Sequence, residues 1–124
     1  MTPYQLLGGE AVLRPLVEDF VKRMVGDAMI GYLFHGVDHP NLVERELELT
    51  ARFLGADRPY QGRPIKEAHA RHRILGGQFD RRTQLLRETL RDYDVPPDVQ
   101  QVWISHVERL RSQITAEKSG ECAD

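Results

Sequence analysis

Pro64-Ile65-Lys66-Glu67-Ala68-His69-Ala70-Arg71-His72-Arg73-Ile74 is the stretch whose reading decides the fold. Pro64 suits the first turn of a helix, where a missing amide costs nothing, and Ile65, Ala68, His69 and His72 then share one side at helical spacing. His69 stands among small or branched apolar residues, so a neutral imidazole facing inward from this helix is able to ligate a metal in a fixed direction. A core or surface histidine satisfies the same local pattern. The remainder of the chain has to choose between them.

The chain has 124 residues, 40% of them hydrophobic and 29% charged, enough for a single core with an enclosed ligand and too few for a second domain. A formal charge of -2 gives no broad basic surface for nucleic acid or an anionic membrane, although Arg71, Arg73, Arg81 and Arg82 form a local positive group suited to a carboxylate or phosphate. The one cysteine, Cys122, lies in a polar C-terminal stretch. An internal disulfide and a cysteine metal site are therefore both excluded, and a reducing, cytoplasmic setting is expected. No apolar run reaches the length of a membrane span, and the first residues lack the pattern of a secretion signal.

Working outward from the central stretch, the periodicity is helical throughout. Thr2-Pro3 with Tyr4, Leu6 and Leu7 predicts one short helix ended by Gly8-Gly9. Leu13, Leu16, Val17, Phe20, Val21 and Met24 predict an amphipathic helix over 10–25, which either starts nearer Pro15 or bends there. Met29 to Phe34 predicts a corner with an aromatic turned inward, and Asp38 a cap for a helix from Pro40 or Asn41 to Leu54. On that helix Leu42, Glu46, Leu49, Thr50 and Phe53 form one stripe, with Glu44 and Glu48 offset into solvent. Glu46 on an apolar stripe must be paired, neutral or facing a cavity, unless it reaches water from the stripe's edge.

A loop over 55–63 delivers the His69 segment, and Leu75-Gly76-Gly77 breaks the chain before a helix over 78–93 with Phe79, Leu86 and Leu90 inside and Arg82 on the same face. After a turn at 92–97, a last helix over 98–115 buries Val99, Val102, Trp103, Val107, Leu110 and Ile114, with His106 an ordinary flanking residue. The expected architecture is all-α: one domain over 1–116 and a disordered polar tail over 117–124.

Tyr4 with Leu6-Leu7-Gly8-Gly9-Glu10, Phe20, Leu33-Phe34 before Gly36-Val37-Asp38, Phe53-Leu54-Gly55, Tyr60 with Gly62, Ile65-Lys66-Glu67-Ala68-His69, Phe79, Leu86 and Val95-Pro96 together resemble the truncated haemoglobins, most nearly the group I or N-type. The resemblance spans roughly Tyr4 to Ile114 and implies a two-over-two helical sandwich enclosing haem b. It implies His69 as the proximal iron ligand, Phe34 packed on the porphyrin, and Leu42 on the distal side. Ile65, Ile74, Phe79, Leu86 and Val107 would line the apolar pocket, and Arg45, His72 and Arg73 would meet the propionates, as two apolar haem faces and an anionic edge require. A solvated charged rim is the competing reading of those three.

Two departures bear on function. Many members carry a tyrosine after the second-helix phenylalanine that donates a hydrogen bond to the ligand, whereas Val21 follows Phe20 here. Where a glutamine often assists, this chain has Glu46, an acceptor, and Arg82 occupies a pocket position usually apolar. A Glu46–Arg82 pair would resolve both anomalies. The expected function is binding of O2, NO, CO or sulfide with redox or detoxification chemistry, such as NO dioxygenase activity, rather than simple O2 storage. The alternatives are peroxidase-like turnover by Glu46 and Arg82, a non-haem metal site using His35, His39, His69, His72 and the glutamates, and a haem-free interaction module. A reductase partner, and a monomer or weak homodimer, complete the expectations.

Overall fold

Thr2 and Gln5 begin the structure with a reciprocal cap: the Thr2 hydroxyl accepts the Gln5 amide at 3.1 Å and the Gln5 side chain accepts the Thr2 amide at 2.9 Å. The computed structural model describes residues 1–58, 61, 62 and 74–115. Ile65, His69, His72 and Arg73, and the tail over 117–124, lie outside the described residues. The described elements are all helical: α1 (Pro3–Leu7), α2 (Glu10–Val25), a 3-10 turn (Gly31–Phe34), α3 (His39–Phe53), α4 (Gly76–Asp92), α5 (Pro97–Arg109) and α6 (Arg111–Ile114).

Helix α2 runs unbroken from Glu10 through Pro15, so its start does not slide; Pro15 sits on the exposed face, where the one amide it lacks is easily forgone. The corner after α2 is closed by sterics and charge together. A Cβ on Gly31 would come within 2.5 Å of the Val25 carbonyl oxygen, so only glycine allows this approach. Arg81 of α4 donates through Nε and Nη2 to Asp27 Oδ1 at 3.0 and 2.7 Å, while Asp27 Oδ2 accepts the Met29 and Ile30 amides. The Arg81 guanidinium holds the Asp27 carboxyl below the ordinary carboxylate range. This clamp positions the turn that carries Phe34.

Helix α2 packs on both α3 and α4, and α4 on α5, around a core that includes Leu13, Leu16, Phe20, Leu47, Phe79 and Leu86. Three boundaries differ from the periodicity. Helix α3 begins at His39, because the Asp38 carboxylate accepts the Asn41 amide and caps one residue early. Gly76 and Gly77 form the first turn of α4 instead of preceding it, with Leu75 as the residue before the helix. The last helix is broken at Leu110, and Val102 is 42% exposed where burial was expected.

The face of α3 is also rotated relative to expectation. Leu47, Thr50, Ala51 and Leu54 are the buried set, and Leu42, Glu46, Leu49 and Phe53 are half-buried beside it. The reason is that α3 has three neighbours: it packs on α2 while its half-buried Glu46 and Phe53 meet α4 and α5.

His106 is more than a flanking residue. Its ring stacks on Phe53 with centroids 4.0 Å apart and 15° between planes, and Phe53 meets Trp103 edge-on. Burial, with a smaller contribution from Arg109, holds the His106 imidazole below its ordinary value. The unfolded chain then binds a proton that the folded chain refuses, so stability is complete above about pH 6.5 and falls as pH drops below it. Urea midpoints at pH 7.5 and 5.5 are expected to differ less in His106→Leu than in the parent, and an equal difference would refute this.

Candidate haem site

Glu46 projects from α3 and Arg82 from α4, and Arg82 Nη2 donates to Glu46 Oε1 at 2.9 Å. Both side chains are about one-fifth exposed, at 21% and 20%. The Arg82 guanidinium also lies over the Phe20 ring, 5.1 Å from its centroid, and Phe20 and Val21 are buried in α2. Three helices thus converge on one carboxylate–guanidinium pair backed by an aromatic face. The pairing expected from the sequence exists, and the support from Phe20 is an addition to it.

The apolar positions gather around the same core. Phe79, Leu86 and Val107 are buried within it, while Phe34 and Leu42 are half-buried and packed against it. Ile74 is half-buried at the start of α4. His35 and His39 are exposed, and His39 Nε2 faces the Phe34 carbonyl oxygen at 3.1 Å. No group of three or more metal-binding side chains occurs among the described residues.

One expectation fails outright. Glu48, placed in solvent by its offset from the α3 stripe, is 6% exposed and is the one charged residue among the described residues that is buried. Its Oε1 accepts Arg45 Nη1 at 3.0 Å and the Gln61 amide at 2.9 Å. The Arg45 side chain lies three residues back on α3, so the pair was readable as an i, i+3 contact, whereas the Gln61 amide reaches Glu48 from 13 residues along the chain. Arg45 Nε is itself buried and has no hydrogen-bond partner among the described residues. Glu44, also expected in solvent, is half-buried and accepts Arg14 Nη1 at 2.6 Å, which holds its carboxyl below the usual range.

This all-helical arrangement, with α2 packed on α3 and α4 and an ion pair bridging the last two, is the fold of a two-over-two globin. The bacterial-like globin family model matches residues 2–116, and the chain belongs to that family, within the group 1 truncated haemoglobins. The group 1 truncated haemoglobin GlbN of Synechocystis is 33% identical over 103 residues, covering 79% of this chain and 82% of that protein. Its counterpart in Mycolicibacterium paratuberculosis is 26% identical over 118 residues, covering 95% and 87%. The truncated haemoglobin of Tetrahymena pyriformis in its Fe(III) form superposes with a TM-score of 0.87 at 24% identity, over 94% of this chain and all of that one. The two-over-two haemoglobin of a Synechococcus, cyanomet and with covalently attached haem, gives 0.85 at 21% identity. At such identities the structures share the fold.

The cofactor of this family is haem b, and the described side chains suit it. A porphyrin needs hydrophobic walls and cations at its carboxylate edge. Phe34, Leu42, Phe79, Leu86 and Val107 are of the first kind, and the unpartnered Nε–H of Arg45 is a donor that an anionic group would satisfy. No helix among the described residues is long and apolar enough to cross a membrane.

Proposed function

We propose that this chain holds haem b through His69 and binds O2, NO, CO or sulfide in a pocket whose polar groups are Glu46 and Arg82, for redox or detoxification chemistry rather than O2 storage. The observation that carries the reading is the 2.9 Å Glu46–Arg82 ion pair bridging α3 and α4. Haem, when bound, supplies an iron that takes a small ligand and changes between ferric and ferrous states. The protein's part is to decide which ligands are favoured there.

Glu46 Oε1, engaged by Arg82, accepts hydrogen bonds and donates none while ionised. A ligand that develops negative charge on the haem side is repelled by this carboxylate, and a ligand that carries a proton is met by it. Val21, buried where a tyrosine hydroxyl would donate, offers nothing in compensation. Arg82 supplies the cationic balance through its 2.9 Å contact with Glu46 Oε1, and its seat over Phe20 keeps it there. These features disfavour long residence of O2 and favour ligands such as sulfide that arrive protonated. The same pair supports peroxidase-like turnover as the second reading: haem and a reducing co-substrate would supply the two electrons that break the O–O bond, Glu46 would carry a proton from one peroxide oxygen to the departing one, and Arg82 would stabilise developing charge. Phe34, Leu42, Ile65, Ile74, Phe79, Leu86 and Val107 would form the walls, with Arg45, His72 and Arg73 at the propionate edge.

The test is the rate at which the ferrous protein oxidises in air, measured for the parent and for Glu46→Gln. The amide supplies an N–H donor at the same position, and oxidation is expected to slow by roughly tenfold, the effect of one net hydrogen bond of about 1.4 kcal/mol. Unchanged or faster oxidation would remove Glu46 from the ligand's surroundings. Arg82→Leu should then weaken sulfide binding to the ferric protein, and an unaltered affinity would assign Arg82 to structure alone.

A further inference from the structure

Glu48 is the feature that the site as described leaves unexplained. A buried carboxylate on a helix that already has apolar neighbours is costly to desolvate, and replacing such a pair by hydrophobic groups is often neutral or stabilising. Stability therefore does not account for it. What it holds is specific: one oxygen, Oε1, receives both Arg45 Nη1 at 3.0 Å and the backbone amide of Gln61 at 2.9 Å. The first partner adjoins Glu46 on α3 and keeps a buried Nε–H with no partner among the described residues. The second lies in the connection after α3, on the same run of chain that continues to His69.

We infer that Glu48 is a positioning residue of the haem site, tying the backbone at Gln61 to α3 and orienting Arg45 toward the anionic edge of the cofactor. This rests on the proposed roles of His69 and Arg45. One carboxylate thereby holds both the connection at Gln61 and the cation offered to the propionates.

The experiment uses the full chain reconstituted with haemin, comparing the parent with Glu48→Ala and Glu48→Gln. Three quantities are read: the rate of haem loss to a scavenging apoprotein, amide hydrogen exchange at Gln61, and the thermal midpoint of the haem-free chain. Alanine removes both acceptor contacts and is expected to speed haem loss at least tenfold and to expose the Gln61 amide. Glutamine keeps an oxygen for Gln61 but loses the charge that holds Arg45, so exchange should stay slow while haem loss rises about threefold. Haem loss within twofold of the parent in both variants overturns the inference, as does a fall in thermal midpoint with haem loss unchanged. Should the alanine variant fail to fold, the glutamine variant decides alone, and an unaltered rate of haem loss in it overturns the inference. A parent chain that takes up no haem at all refutes the site reading itself, an outcome distinct from normal uptake with unaffected variants.

Discussion

His69→Gly protein mixed with haemin is expected to lose the sharp Soret band that shifts with carbon monoxide in the parent, and to recover it when imidazole is added. The size of the effect follows from coordination: in the proposed site a bond from the His69 imidazole would be the directed link between this chain and its cofactor, whereas apolar walls alone would hold a porphyrin without orienting its iron. Glycine at position 69 leaves room for a free imidazole, so recovery separates loss of a ligand from loss of fold. Haem affinity should drop by at least 100-fold, matched by a fast phase of haem loss. A variant spectrum identical to the parent's would transfer the ligand role to another histidine, and His72 would be the next to replace. Failure of the parent to bind haem would instead send the inquiry to iron and zinc content.

The second large effect is on stability. Phe79→Ala is expected to destabilise the haem-free chain by ~3–5 kcal/mol, the usual range for deleting a buried phenylalanine. Phe79 is 1% exposed, lies on the inward face of α4 beneath the Arg111 guanidinium, and belongs to the cluster that joins α2, α3 and α5. Because α4 meets both α2 and α5, the cavity would open between elements and could not close by a small shift of one side chain. Against a total stability of about 5–15 kcal/mol for a domain, that is a large share. Urea unfolding of the haem-free chain measures it, and a loss under about 1 kcal/mol would mean that the site collapses onto the vacancy. Haem, by binding only the folded chain, should raise the stability of parent and variant alike without closing the gap between them.

Much of the molecule was legible without coordinates because it depends on local rules. The short first helix, the 10–25 helix, the corner at Met29–Phe34 and the aspartate cap before α3 follow from spacing, glycine and proline chemistry, and they agree with the structure to within a residue or so. The Glu46–Arg82 pair was readable for a different reason. Two opposite charges on two otherwise apolar faces are each costly alone, so they are driven to meet if the helices adjoin.

What the sequence determined by itself is the all-α class, the helical register of α2 and α4, and, through its motifs, membership among the truncated haemoglobins. What only the tertiary structure decided is which side of α3 faces which neighbour. A helix flanked by three partners has no single stripe: Leu47, Ala51 and Leu54 are buried, while Glu46 meets α4 and Phe53 meets α5. The same reason hid Glu48, which takes the Gln61 amide from outside its helix, and the His106 ring, which stacks on Phe53 of α3 and whose burial lowers its proton affinity. Periodicity reports the exposure a helix would have against one flat surface; the further neighbours are set by contacts distant in sequence, and these decide where a charge ends up buried.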